Sequence, residues 1–150
     1  MKLSSIINKD CSKAAVLFNS KKRILEYISE LAHEQLPNLN QHDILSALMA
    51  REKLGSTGIG KGIALPHGRI IGLEVVTALL LVNQQGVEFD AIDNRPVDIF
   101  LALIVPDGDN EQHLKTLSSI AQQLNNKEFC KQLRNASNDE ELYAIIASAD

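Results

Sequence analysis

Cysteine is scarce in this chain: Cys11 and Cys130 are its only two, far apart and in no metal-ligand spacing. That scarcity argues against a disulfide framework, and both thiols are expected to be reduced. Long apolar runs are also missing. The longest, Val75–Val82 and Ile99–Val105, fall well short of the ~20 residues a membrane-spanning helix needs. The opening MKLSSIINKDCSK lacks the extended apolar stretch of a secretory leader. Together these absences point to a cytoplasmic protein with no membrane insertion. Nor is there a strong charge of one sign. The formal net charge of −4 argues against a general nucleic-acid binder, which carries a basic face. No repeat, low-complexity tract or Pro/Gly-rich linker divides the chain, so residues 1–150 read as one domain large enough for a hydrophobic core. Its 45% hydrophobic and 23% charged content is ordinary for a globular protein.

What is present is a clear succession of periodic segments. Ser20 precedes KKRILEYISELAHEQL, where Ile24, Leu25, Ile28, Leu31, Ala32 and Leu36 recur at helical spacing. Asn40 opens a second helix, QHDILSALMAREKL, with Gly55 suited to the position just past its end. A glycine-dense turn, GSTGIGKG, leads into a short strand, IALPH. TALLLV and DIFLALIV are nearly continuous apolar runs, the pattern of strands covered on both faces. Val87–Phe89 suggests a short edge strand, and Asp90 and Asp93 suit turns. Asp109 and Gln112 resemble a capping pair for a helix from about Asn110 to Asn125. KEFCKQLR predicts a short helix, and Ser137 with Glu140 a capping box for the last one. Buried strands between two helical groups imply a three-layer α/β/α sandwich with a mixed sheet. Strand order does not follow from this pattern.

The segment Arg51–Arg69, REKLGSTGIGKGIALPHGR, carries the chemistry. Gly55, Gly60 and Lys61 match the start of a nucleotide-binding P-loop, but Gly62 stands where that motif needs a Ser or Thr hydroxyl for magnesium. The order is also wrong, because a P-loop follows a strand and opens a helix, whereas this turn follows a helix and feeds a strand. No cofactor or metal is expected. A small anion suits the turn better. Its glycines permit close backbone approach, so amides of Gly55, Ser56, Thr57 and Gly58, with the Ser56 and Thr57 hydroxyls, are candidate phosphate contacts. The strand IALP then delivers His67 at its end, stiffened by Pro66 and followed by Gly68. Imidazole, with an ordinary pKa near 6.5, is mostly neutral and nucleophilic at cellular pH and forms a covalent intermediate. Arg51, at the end of the preceding helix, has the planar fork that matches a phosphoryl group. Of the other histidines, His33 and His42 lie on amphipathic helices off the motif and read as solvated.

GSTGIGKGIALPHGR, with the helix end AREKLGSTGIG and the later DAIDNRPVDIFLALIVP, resembles the phosphotransferase-system IIA proteins of the fructose/mannitol type, above all their stand-alone nitrogen-regulatory branch. The resemblance extends over nearly the whole chain. It implies a mixed, five-stranded sheet and a phosphotransferase acting through a phosphohistidine. The acceptor would be His67, supplied by the small phosphocarrier HPr or its nitrogen-branch relative NPr. Arg51 would flank the acceptor, as would His113, on the helix after the long strand. The resemblance also implies regulation of partner proteins, such as sensor kinases or potassium transporters, in nitrogen and potassium metabolism. The alternative is a stand-alone sugar-specific IIA component that passes its phosphate to a IIB protein. Oligomeric state is left open.

Overall fold

A computed structural model describes residues 3–108 and 110–149, without the side chains of residues 110 and 111. A single 3-10 turn, Leu3–Ser5, leads into β1 (Ile7–Val16). Two helices follow, α1 (Lys21–Gln35) and α2 (Gln41–Lys53), then three short strands, β2 (Gly58–Gly60), β3 (Ile63–Ala64) and β4 (His67–Ile70). The long strands β5 (Thr77–Val87) and β6 (Val97–Pro106) precede α3 (Asn110–Leu124), α4 (Lys127–Asn135) and α5 (Asp139–Ser148). Among the described residues, no helix is long and apolar enough to cross a membrane.

Local chemistry sets most of these boundaries. The Ser20 side chain accepts from the Arg23 amide, and Asn40 accepts from the amides of His42 and Asp43, so both expected caps open their helices. Gly55, φ +149°, follows the Leu54 cap of α2 and donates to Glu52 O. The cap of α5 lies one residue beyond the expected Ser137: Asn138 accepts from the Glu141 amide. Asp109, half of the expected pair before α3, lies outside the described residues. Both cysteines are free and buried, and burial pushes the Cys11 thiol up to about 11.

The mixed sheet has six strands in the order β1-β5-β6-β3-β2, with β4 also paired to β6. The expected count of five is therefore corrected, and the reason lies at Pro66. β3 and β4 both run parallel to β6 in one unbroken register, Ala64 opposite Phe100 and His67 opposite Leu103. Pro66 sends its carbonyl to the Leu103 amide but has no N–H for the ladder, so one line of chain counts as two strands. His67 thus begins β4 rather than ending a strand. Val87 belongs to β5 and pairs with Val97, so the separate edge strand at Val87–Phe89 does not form.

Consecutive residues Leu79–Val82 and Ile99–Val105 are all buried, and neighbours along a strand face opposite sides. Both faces of the sheet are therefore covered. α1 and α2 pack on each other and on the sheet; α3, α4 and α5 form the second helical group, with α5 against β1. The arrangement is the expected α/β/α sandwich. Each large apolar side chain buried in it stabilises the fold by about 1.5–3 kcal/mol before the entropy of ordering is counted.

Candidate functional site

The site forms where α2 ends above the start of β4. A Cβ on Gly68 would lie 2.9 Å from Ala47 Cβ and 3.1 Å from the Ala47 carbonyl carbon. Only glycine leaves room for the helix to come this close to the strand. Arg51 is one turn beyond Ala47 on the same helix face, so the close approach carries its side chain to His67. Arg51 Nε donates to His67 Nε2 at 3.2 Å, and Nη1 donates to the Gly55 carbonyl at 2.8 Å.

These contacts fix the tautomer of the ring. A guanidinium N–H can only donate, so Nε2 must accept. On the other side Nδ1 lies 2.8 Å from the Leu65 carbonyl, which can only accept, so Nδ1 carries the proton. The backbone explains why that carbonyl is available. Leu65 faces away from β6, and its amide donates to Thr57 O. The β2 ladder stops there, leaving the Leu65 carbonyl to the ring. Burial lowers the His67 pKa below its ordinary 6.5; the Leu65 bond and Glu52 oppose the fall, while Arg51 and Arg69 add to it. The result is a half-buried imidazole whose in-plane electron pair sits at Nε2, facing Arg51.

His67 opens into a groove of about 650 Å³. Arg51, Arg69 and His113 are among its polar lining, and Ala50, Leu54 and Leu114 among its apolar lining. Leu54 and Leu114 stand 84% and 62% exposed, unusually high for leucine. His113 is only 7% exposed, and its Nδ1 is buried without a hydrogen-bond partner among the described residues. A buried polar atom without a partner is uncommon and costs stability. The structure thus brings Arg51 and His113 to the same groove as His67.

The turn at 55–58 is arranged differently from the expectation. Ser56 Oγ donates to the Phe89 carbonyl at 2.7 Å and accepts from the Gly58 amide at 3.0 Å. The Thr57 hydroxyl donates to the Glu52 carboxylate, and the Thr57 amide lies 3.3 Å from both carboxylate oxygens. With the Gly55 amide closing α2, three of the four amides and both hydroxyls proposed to meet phosphate are engaged in holding the turn itself. The physical reason is burial: Thr57 is 4% exposed, and polar groups at that depth must pair within the protein. Glu52 and Arg69 were not singled out from the sequence. The available signal for Glu52 was its place in the last turn of a helix, where the helix dipole disfavours a carboxylate.

The P-loop-like residues have other tasks. Lys61 and Gly62, φ +58° and +80°, form the two-residue turn between the antiparallel strands β2 and β3. Lys61 donates through its amide to Asp93 and through Nζ to Asn125. Asp93 also accepts from the Arg95 amide, a turn role as expected. His42 is exposed, but His33 is half-buried and its Nδ1 lies 2.6 Å from the Leu39 carbonyl, so it is not simply solvated.

Comparison with known proteins places the chain among relatives of one family. Residues 5–149 match the family described as phosphoenolpyruvate-dependent sugar phosphotransferase system, EIIA 2. The nitrogen regulatory protein of Escherichia coli (strain K12) is 46% identical over 151 residues, covering 100% of this chain and 92% of its own. The crystal structure of nitrogen regulatory protein IIA-Ntr from Neisseria meningitidis has a TM-score of 0.87 at 36% identity, covering 95% of this chain and 97% of its own. The enzyme IIA of the mannitol system of Escherichia coli, solved in complex with phosphorylated enzyme IIB, has a TM-score of 0.75 at 15% identity and covers 95% and 99%. That last likeness is one of fold alone.

Proposed function

This chain belongs to the phosphoenolpyruvate-dependent sugar phosphotransferase system EIIA 2 family, and on that footing we propose that it accepts a phosphoryl group on Nε2 of His67 from a phosphohistidine carrier, HPr or NPr. The observation that carries this reading is the asymmetry of the ring: Nδ1–H is committed to Leu65 O, while Nε2 presents its electron pair beside a guanidinium. In the transfer, a bond forms between Nε2 and phosphorus as the donor's P–N bond breaks, and the donor ring keeps the electron pair. The His67 proton stays on Nδ1. The imidazolium that results bonds more strongly to the Leu65 carbonyl, because a charged donor makes the stronger hydrogen bond. Arg51 matches the spread negative charge of the moving group. His113, which lines the same groove, is the second imidazole beside the loaded ring. Intact-mass measurement after incubation with enzyme I, a carrier and phosphoenolpyruvate tests this. One added phosphoryl group, absent in His67→Ala, is expected; no added mass on the wild type would overturn it.

We further propose that the phosphorylation state of His67 selects partners. Similarity to nitrogen regulatory proteins favours targets such as sensor kinases or potassium transporters over service as a step in sugar uptake. A phosphoryl group adds about −1.5 to −2 charges to the groove by analogy with other phosphorylated side chains. A partner that covers this groove with apolar or acidic surface would bind the unphosphorylated form, because a desolvated dianion without cationic partners is costly. Calorimetry of a captured partner with and without phosphate on His67 tests the switch, and equal affinities would leave the protein a carrier only. Rapid transfer onward to a IIB protein would favour the sugar-specific role instead.

A further inference from the structure

Behind the acceptor lies a charged cluster that touches neither His67 nor the groove. The Glu52 side chain is 6% exposed, and Lys21, at the start of α1, reaches it at 2.9 Å. The other partner is Thr57, through both its amide and its hydroxyl. Lys21 Nζ also lies 3.5 Å from the Phe89 carbonyl, the same carbonyl that accepts from Ser56 Oγ. A carboxylate buried at the negative end of a helix is unfavourable on two counts, desolvation and the helix dipole. Its partners offset that cost only if all of them are in place.

The cluster has one outlet toward the chemistry. Thr57 is tied to Glu52, so the turn from Gly55 to Thr57 is pinned at both ends, to the last turn of α2 and to its own carboxylate. Gly55 is the residue whose carbonyl accepts from Arg51 Nη1, while Arg51 Nε points at His67. Two adjacent residues of one helix therefore divide the work. Arg51 faces the ring, and Glu52 holds the carbonyl that keeps Arg51 there. We propose that Glu52 is a positioning residue for phosphoryl transfer: with Lys21 and Thr57 it locks the turn whose Gly55 carbonyl clamps the Arg51 guanidinium against Nε2 of His67. This rests on the reading of His67 as the acceptor. A guanidinium anchored at two points is preorganised, and a misplacement of about 1 Å in such a group costs up to about a hundredfold in rate.

The test separates positioning from mere stability by a double-mutant cycle. Single-turnover phosphorylation of His67 by a phosphorylated carrier is measured in Glu52→Gln and Thr57→Val, alone and each combined with Arg51→Ala. Alone, each is expected to slow transfer by roughly tenfold or more. In the Arg51→Ala background each is expected to slow it by less than about twofold, because the group being positioned is gone. Thr57→Ser, which restores the hydroxyl, should recover most of the rate lost in Thr57→Val. Equal slowing with and without Arg51 would overturn the proposal. A second readout needs no phosphate: the Arg51 Nε–H signal in nitrogen-15 NMR is expected to be protected in the wild type and lost to exchange in Glu52→Gln. An unchanged signal would also overturn it. If Glu52→Gln fails to fold by circular dichroism, Thr57→Val carries both measurements. If the wild type takes no phosphate, the acceptor reading falls, and the Nε–H signal alone decides for or against the lock.

Discussion

The two flanks of β6 solve the same pairing problem in different ways. On one flank β5 runs antiparallel beside it, with residues paired from Thr77–Ile104 to Val82–Ile99 and every side chain there except Thr77 buried. On the other flank β3 and β4 give β6 only six paired positions, split by Pro66. The ordered flank spends its backbone groups on the ladder. The interrupted flank leaves some to side chains, and one of these, the Leu65 carbonyl, fixes the proton on His67. The comparison teaches that the site is built from a local failure of sheet pairing on a platform that does not fail. Function sits where backbone groups remain to be claimed, and rigidity comes from the neighbouring strand.

The most complete break of this comparison is removal of the ring. His67→Ala should take up no acid-labile phosphate, whereas His33→Ala and His42→Ala, outside the interrupted flank, should label normally. Full labelling of His67→Ala would show that the interruption serves no acceptor.

Next in size is the donor that faces the ring. Loss of one oriented charged donor commonly costs on the order of a hundredfold in rate, and Arg51→Ala is expected to do so with little change in urea midpoint. Arg51→Lys should recover only part of the rate, since an ammonium cannot point one N–H at Nε2 and another at Gly55 O in fixed geometry. A wild-type rate in Arg51→Ala would mean that this bond is an incidental contact.

Gly68→Ala sharpens the comparison from the side of packing. The new Cβ would meet the backbone of α2 at 3.1 Å and the side chain of Ala47 at 2.9 Å, so the helix must shift. Overpacking of this kind costs about 1–3 kcal/mol. Since the same helix delivers Arg51, the variant should lose transfer rate along with stability. Urea unfolding and single-turnover labelling on one preparation check both, and a loss of stability with no loss of rate would uncouple the helix position from the chemistry.

How much of this could be read from the sequence follows the same division. β5 and β6 announce themselves as apolar runs, and α1, α2 and α4 as periodic segments. β1 does not, because Lys9, Asp10 and Lys13 interrupt it and its register against β5 slips twice. It forms because β5 offers it a template, which is a tertiary effect that no local pattern records. Near the site, His67 and Arg51 are visible as residue types suited to the chemistry. The roles of Ser56 and Thr57 are not. A hydroxyl beside glycines is equally fit to bind an anion or to hold a turn, and the Phe89 carbonyl that engages Ser56 is brought from 33 residues away, where no local pattern records it.

A smaller effect concerns pH. Burial, helped by Arg51 and Arg69, keeps the folded His67 pKa below the ordinary 6.5. Between the two values the unfolded chain binds a proton that the folded chain does not. Stability therefore rises with pH through that window, is complete above 6.5, and is lost as pH falls below it. His67→Ala should flatten this part of the curve in urea titrations run from neutral to mildly acid pH. For the same reason the wild-type labelling rate should begin to fall at a lower pH than it would for an ordinary histidine, which is half protonated at about 6.5. A midpoint at or above that of an ordinary histidine would place the ring in a more exposed setting than the sheet interruption provides.

The smallest effect tests whether the ordered flank is free of strain. β1 lies beyond β5 on that side, yet Ala15 within it has φ +52°, in the left-handed region. Gln84 donates to the Ala15 carbonyl at 2.8 Å, which helps to hold the bend. An L-residue in this conformation is disfavoured by roughly 1–2 kcal/mol. Glycine removes that cost but gives back about 0.5–1 kcal/mol in unfolded-chain entropy. The net expectation for Ala15→Gly is a gain of about 0.5–1 kcal/mol, read as a higher urea midpoint at unchanged slope. Transfer to His67 should not change, because Ala15 is exposed and both β5 and β6 lie between it and the ring's strand. A gain in stability with an unchanged rate would mark this bend as strain without chemical use, in contrast to the break at Pro66. A loss of rate would mean that the bend in β1 is felt across β5 and β6 at the acceptor, and that the quiet flank is part of the site after all.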